Sequence, residues 1–283
     1  MICPICDQSS SRLFQAHGYW IRSCDTCSHR FAELEPGTGH LDAVYGDAYF
    51  FGGGAGYADY LASSDELRER GRFYGRLLRN RVAPGRLLDV GAAAGYVLAG
   101  LRDEGWTGVG LEPNGTMVSH ARSELGLEMH RGALEDVELK SSFDVVVMVQ
   151  VLPHLRDLRA GVATVARLVR PGGLCLIETW NRESVAARLF GQHWHEYSPP
   201  SVLHWFSPQG VVRLFERHGF TLLDRGRPPR RILAEHARSL LRYKSEGRWW
   251  GRAVESVGRL IPDRASLPYP ADDLMWVLLA RSP

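Results

Sequence analysis

From residue 86 onward the chain alternates short apolar strands with helical stretches, and few folds can be built from that order. RLLDV (86–90) runs into a glycine-rich turn and then YVLAGLRDEG, which reads as a helix stopping at Gly105. GVGLE (108–112) precedes a second helix over residues 115–125, with Asn114 placed to cap it. LEMHRG is a short third strand. FDVVVMVQ (143–150) is a fourth, apolar on both faces as a central parallel strand has to be. Residues 157–170 read as a helix ending at Pro171-Gly172-Gly173, and LCLIETW as the fifth strand. This order predicts a doubly wound α/β sheet covered by helices. SPQGVVRLFERHGF then predicts a helix entered through Ser207-Pro208 and closed by Gly219, with TLLDR (221–225) and DLMWVLLAR (273–281) as two last strands. The arginine-rich residues 228–262 read as a helical insertion before the last strand.

Composition narrows the class of function. The 283 residues are 45% hydrophobic and 23% charged, which excludes a disordered or collagen-like chain. A net charge of +2 is too near neutral to demand nucleic acid or a membrane as partner. No apolar run approaches the roughly 18 residues of a membrane span. The opening MICPIC lacks the basic start and apolar core of a secretory signal, so a cytoplasmic location with reduced thiols is expected.

Four of the five cysteines fall in the first 27 residues, as Cys3-Pro-Ile-Cys6 and Cys24-Asp-Thr-Cys27. Two such knuckles can offer four thiolates to one tetrahedral ion, and the residues between them are enough for a hairpin that joins them. The competing readings are two disulfides, disfavoured in a reducing compartment, and a redox pair, which calls for a Cys-x-x-Cys opening a helix in a βαβ unit. A small zinc ribbon over residues 1–40 is therefore expected, structural because four thiolates leave no position for water. His17 and His29 read as surface residues, and Cys175, inside LCLIE, as a small core residue.

The loop after the first core strand carries the chemistry. It reads Asp89-Val90-Gly91-Ala92-Ala93-Ala94-Gly95, and G-x-G-x-x-G cannot be fitted to it, which argues against a dinucleotide. Asp89 would repel a pyrophosphate and attract an ammonium or sulfonium. Glu112, ending the next strand, stands where an acid can accept both hydroxyls of a ribose. Together the two acids fit a nucleoside with a positive end and no phosphate.

These segments resemble the class I S-adenosylmethionine-dependent methyltransferases. LLDVGAAAGYVL is similar to their first motif with Ala93 in place of the usual middle glycine, GLEPN to the acidic end of strand two, FDVVVMVQVLPHL to the fourth-strand motif, and LVRPGGLCLIETWN to the entry into strand five. The resemblance covers about residues 41–225 and the final strand. It implies a Rossmann-like, seven-stranded methyltransferase domain over residues 41–283. Within the superfamily the chain looks closest to a subgroup with an N-terminal zinc ribbon, a Tyr49-Phe50 segment and a stretch holding Trp194, His204 and Phe206-Ser207. The resemblance implies that Gly91, Ala93 and Gly95 approach the methionine moiety and that Asp89 orients its amine. It implies that Glu112 holds the ribose, Leu134 and Glu135 flank the adenine, Gln150 lines the methyl donor, and Tyr49 and Phe50 fold over it.

Methyl transfer is an in-line displacement whose rate comes largely from alignment, and a base helps when the nucleophile is a hydroxyl. His154, in the VLPHL turn, is the best-placed base by sequence, and His195, in GQHWHEY, the second. Asn181 is expected to face the same crevice. The expected acceptor is a small molecule such as a sugar, a lipid-linked or a natural-product intermediate. The insertion at 228–262, with Trp249 and Trp250 among its arginines, is a solvated face or a lid over an anionic substrate or lipid surface. The alternative is an RNA or protein methyltransferase docking through the ribbon, whose few basic residues (Arg12, Arg22, Arg30) disfavour nucleic acid. A non-enzymatic scaffold is disfavoured by the intact Asp89, Glu112 and glycine turn.

Overall fold

His17 and Gly18, both with positive φ (49° and 83°), turn the chain back between β1 (Ser10–Ala16) and β2 (Tyr19–Cys24), as a two-residue hairpin loop requires. The hairpin lies between the two cysteine knuckles and joins β3 (Arg30–Ala32) in one antiparallel sheet. Two short helices, α1 (His40–Val44) and α2 (Asp47–Phe51), lead to the long α3 (Ser64–Arg79). The computed structural model describes residues 1–37, 39–52, 59–139, 142–229, 231–233, 266–268 and 273–283.

The α/β core then follows as β4 (Arg86–Val90), α4 (Tyr96–Asp103), β5 (Thr107–Glu112), α5 (Gly115–Leu125), β6 (Glu128–Arg131), β7 (Phe143–Val149), α6 (Leu158–Leu168) and β8 (Val169–Trp180). After α7 (Val185–Phe190) come β9 (His204–Trp205), α8 (Pro208–Glu216), β10 (Phe220–Gly226), β11 (Arg231–Leu233), β12 (Ser266–Pro268) and β13 (Leu274–Arg281). Among the described residues the main sheet has the order β10-β13-β8-β7-β4-β5-β6, with β13 antiparallel to both neighbours. The expected doubly wound sheet is present. In β7 successive residues feed opposite layers: Val146 and Met148 pack with Leu88, Val90 and Ile177, whereas Val145 and Val147 pack with Leu87, Leu176 and Leu278. A strand buried on both faces has no polar side to offer.

The helix before β4 is held unusually close to the core. A Cβ at Gly71 would lie 2.1 Å from the Val97 carbonyl oxygen, and one at Gly100 would lie 2.0 Å from that of Arg68. The backbones of α3 and α4 therefore cross in direct contact, and this brings α3 to the carboxyl ends of β4 and β8.

Three expectations are corrected. The helix over 157–170 ends at Leu168, and β8 begins at Val169, because Val169 pairs with Phe143 before Pro171-Gly172-Gly173 bulges out and Leu174 pairs with Val145. His29 is buried, not a surface residue: its ring lies between Phe31, His204 and Phe206, and burial drives its pKa well below the usual histidine value. Within the insertion expected at 228–262, the described residues 231–233 form a strand paired with 266–268; the arginines from Arg238 onward and Trp249-Trp250 lie outside the described residues.

The cysteine-bearing segment also adds β9 to its sheet, through Arg30↔Trp205 and Phe31↔His204, so this sheet crosses the boundary expected near residue 40. Cys3, Ile5, Cys24 and Phe31 share one apolar core with Phe206, Val211 and Phe215. Arg159 of α6 and Arg217 donate to the Pro4 and Ile5 carbonyls and to the Asp7 carboxylate. Among the described residues no helix is long and apolar enough to cross a membrane.

Candidate active site

The strand order reverses between β4 and β7, and a crevice opens there at their carboxyl ends, where ligands bind in open α/β sheets. One wall is aromatic: Tyr45, Tyr49, Phe50 and Tyr60 line it, with Tyr49 edge-on to both Tyr45 and Phe50. The other wall is made by Gly91, Ala93 and Glu112, and by Leu134, Glu135 and Gln150. A smaller cavity adjoins it, lined by Arg70, Asp89, Gly91 and Gln150 among others.

Glu112 is 4% exposed and already accepts two amide N–H groups, Ala93 N at 3.0 Å and Asn114 N at 2.8 Å. Those bonds fix the carboxylate in one orientation, while burial still pushes its pKa up to about 7. Asn114 doubles as the expected N-cap of α5, accepting from Met117 N at 3.0 Å. Asp89 is 1% exposed, and its Oδ2 has no hydrogen-bond partner among the described residues. Burial, reinforced by the nearby Glu112 charge, pushes Asp89 up to about 8. A cation placed beside such an acid favours its ionised form and lowers its pKa.

The turn between these acids needs left-handed backbone, with φ of 65° at Gly91, 46° at Ala93 and 81° at Gly95. Gly91 faces the crevice, and a Cβ there would also meet Val151 Cγ2 at 2.4 Å. Gly95 is not among the lining residues; the space its Cβ would fill is taken by Leu127 and Ala121, so it serves helix packing. Ala93 keeps an unfavourable conformation for its Cβ, and its N–H is the one bonded to Glu112.

Gln150, at φ 61°, lines both cavities and donates through Nε2 to Glu178 Oε1 at 2.9 Å. Arg70 Nη1 donates to the same oxygen at 3.0 Å. Sequence reasoning did not find Arg70. It sits in SDELRERGRFYGRLLR, where five arginines share one helix and nothing local marks the one that faces inward.

His154 lies on the crevice wall with Nδ1 2.6 Å from the Ser201 carbonyl oxygen and 3.0 Å from Tyr45 Oη. Because a carbonyl only accepts, Nδ1 carries the proton and Nε2 the lone pair. Burial holds this ring at about 4, against the Ser201 carbonyl that favours its charged form. His195 is not among the crevice-lining residues; it is largely exposed, with Nε2 2.8 Å from Glu196 Oε1. Asn181 is also absent from the lining, and its Oδ1 accepts from Glu183 N at 2.9 Å in a turn.

Away from the crevice, the Sγ atoms of Cys3, Cys6, Cys24 and Cys27 lie within 4.8 Å of one another, and all four are free thiols. Sulfur pairs at 3.4–3.6 Å are far beyond a disulfide bond and near the ~3.8 Å edge of a tetrahedron with metal–sulfur bonds of about 2.3 Å. Amide N–H groups of Ile5, Thr26 and Cys27 point at Cys3 or Cys24 sulfur. Although burial opposes it, those at Cys24 bring its thiol down to about 7. The donor set fits a zinc ion.

The family model for a methyltransferase domain matches residues 63–225. The chain therefore belongs to the methyltransferase-domain family. Among curated proteins it is 29% identical over 133 residues to a ubiquinone biosynthesis O-methyltransferase of Rhodopseudomonas palustris, covering 44% of this chain and 49% of that one. It is 23% identical over 156 residues to the enzyme of that name from Nitrobacter winogradskyi, covering 51% and 60%. The chain spans about half the length of the curated relatives it matches. Two solved structures share the fold. An S-adenosylmethionine-dependent methyltransferase of Thermotoga maritima has a TM-score of 0.51 at 16% identity, covering 79% of this chain and 97% of that one. The YcgJ protein of Bacillus subtilis has a TM-score of 0.53 at 16% identity, covering 76% and 99%.

The raised pKa of Asp89 has a measurable cost. The unfolded chain ionises this group near 4, whereas the folded chain keeps its proton until about 8, so stability falls as pH climbs through that window. In urea unfolding between pH 5 and pH 7, the wild type should lose about 1.4 kcal/mol per pH unit relative to Asp89→Asn, with Glu112 contributing alike to both. Parallel stability profiles for the two proteins would contradict the assignment.

Proposed function

We propose that this enzyme moves the methyl group of S-adenosylmethionine to a hydroxyl of a small molecule, such as a sugar, a lipid-linked or a natural-product intermediate. The observation that carries the cofactor placement is the Oδ2 of buried Asp89, unpartnered among the described residues, in a cavity it lines with Arg70 and Gly91. An acid and a guanidinium on one small cavity complement the ammonium and carboxylate of an α-amino acid. Glu112 takes the ribose hydroxyls, Leu134 and Glu135 lie along the adenine, and Tyr49 and Phe50 cover the ligand. Bound there, S-adenosylmethionine brings a methyl group already activated on its sulfonium. The hydroxyl acceptor follows the curated relatives named above, which are O-methyltransferases.

His154 presents Nε2 as an acceptor for the hydroxyl proton. A ring held at about 4 is neutral across the physiological range, yet it holds a proton weakly, so alignment carries more of the rate than a base near 7 would require. The RNA or protein reading gains no support from the ribbon. Arg12 and Arg22 are engaged by Glu33, and Arg30 donates to Tyr197 Oη.

The four cysteines are assigned to one structural zinc ion, with a full thiolate set and no open position. Elemental analysis should find one zinc per chain. Cys24→Ser should lose it and lower the unfolding midpoint of the whole protein, since this sheet shares its core with α6 and α8; metal-free wild type with disulfides would reject the assignment.

Calorimetry tests the cofactor. S-adenosylhomocysteine should bind at one site per chain, and Glu112→Ala should weaken it by about 1.5–3 kcal/mol. Unchanged affinity in a folded variant would remove Glu112 from the site.

Turnover tests the base. His154→Ala should lower kcat by about 10²-fold, the low end for a general base, and leave S-adenosylhomocysteine affinity nearly unchanged. Because this ring is deprotonated well below pH 6, kcat in the wild type should show no limb from it between pH 6 and 8. Equal losses in turnover and affinity would mean that His154 only shapes the loop.

A further inference from the structure

Glu178 is a fully buried acid that is not among the residues lining the crevice, and the proposed chemistry leaves it without a task. A carboxylate in such a place is costly unless charge and hydrogen bonds compensate it. Three side chains do so. Arg70 Nη1 at 3.0 Å and Gln150 Nε2 at 2.9 Å both donate to Oε1, and Tyr74 O–H donates to Oε2. The Glu178 main-chain carbonyl also accepts Gln150 N–H at 3.0 Å. Gln150 is thus tied to one residue by both its backbone and its side chain, at a left-handed φ of 61° that a glutamine does not choose freely.

An acid serving only to anchor α3 would need Arg70 and Tyr74 alone. Here two of the three side-chain donors, Arg70 and Gln150, also line the small cavity that holds Asp89 and Gly91. We propose that Glu178 is a positioning residue for the amino-acid end of the methyl donor. It holds the Arg70 guanidinium toward the ligand carboxylate and pins Gln150 beside the sulfonium end, without itself touching the ligand. This inference rests on the cofactor placement proposed above.

The test compares two probes by calorimetry on the full chain. S-adenosylhomocysteine carries the amino-acid end, whereas methylthioadenosine has the same nucleoside and thioether without it. Glu178→Asp keeps the buried charge but withdraws it by one methylene. It should weaken S-adenosylhomocysteine by at least about tenfold while methylthioadenosine stays within about threefold of wild type. Glu178→Gln keeps the length: its carbonyl oxygen can accept from Arg70 and Gln150 while its amide donates to the Tyr74 oxygen. This variant should bind S-adenosylhomocysteine more tightly than Glu178→Asp does. Equal loss of both probes in Glu178→Asp, no loss of S-adenosylhomocysteine, or a Glu178→Gln variant weaker than Glu178→Asp would each overturn the proposal. A wild type that binds neither probe would instead overturn the cofactor placement.

Discussion

Three carboxyl groups, Asp89, Glu112 and Glu178, lie almost fully buried toward the carboxyl ends of one sheet, and the site is arranged around that cost. Each is treated differently. Glu112 is bound by two backbone amides from the turn and from the head of α5. Glu178 is matched by the Arg70 guanidinium and two neutral donors. Asp89 alone keeps an oxygen without a partner among the described residues. Burial of an uncompensated acid favours its neutral form, and with the nearby Glu112 charge it pushes Asp89 up to about 8.

The Arg70 and Tyr74 side chains that compensate Glu178 both come from α3, which packs backbone to backbone on α4. The crossing of Gly71 and Gly100 makes this possible, since any Cβ there would strike a backbone carbonyl. The same approach places Tyr74 and Arg70 of α3 against β8. Gly71, next to Arg70 in the chain, and Gly100 thus help to set where that guanidinium stands. Gly95 acts in a related way: it fills no part of the cavity and instead lets α4 start against Leu127 and Ala121.

The cysteine-bearing segment is joined to the rest of the fold by strand pairing, apolar packing and arginine contacts. It lends a sheet to β9, shares an apolar core with α8, and takes arginine contacts from α6 and from Arg217 just beyond α8. The stretch after β8 follows from this union. Trp194, Trp205 and Phe206 are buried, and His204 Nε2 lies 3.1 Å from the Leu155 carbonyl, so these aromatic residues support the wall on which His154 stands. Trp194, Tyr197 and Trp205 pack with Ile21 and Ala32 of the cysteine-bearing segment.

Local pattern was enough for much of this protein. The strand–helix order, the Asn114 cap, the two acids at neighbouring strand ends and the paired cysteine knuckles all depend on periodicity or short spacing, which the chain states directly. The tertiary structure decided what depends on distant partners. Arg70 and Glu178 are 108 residues apart, and no feature of either segment names the other. His29 is buried only because β9 arrives from residue 204, and Val169 leaves its helix only because Phe143 offers a strand to pair with. His195 and Asn181 sit near the right strand in sequence, but turn and loop geometry keep them off the crevice wall. A sequence records which faces seek burial; which buried groups meet is fixed by how closely the backbones can pack.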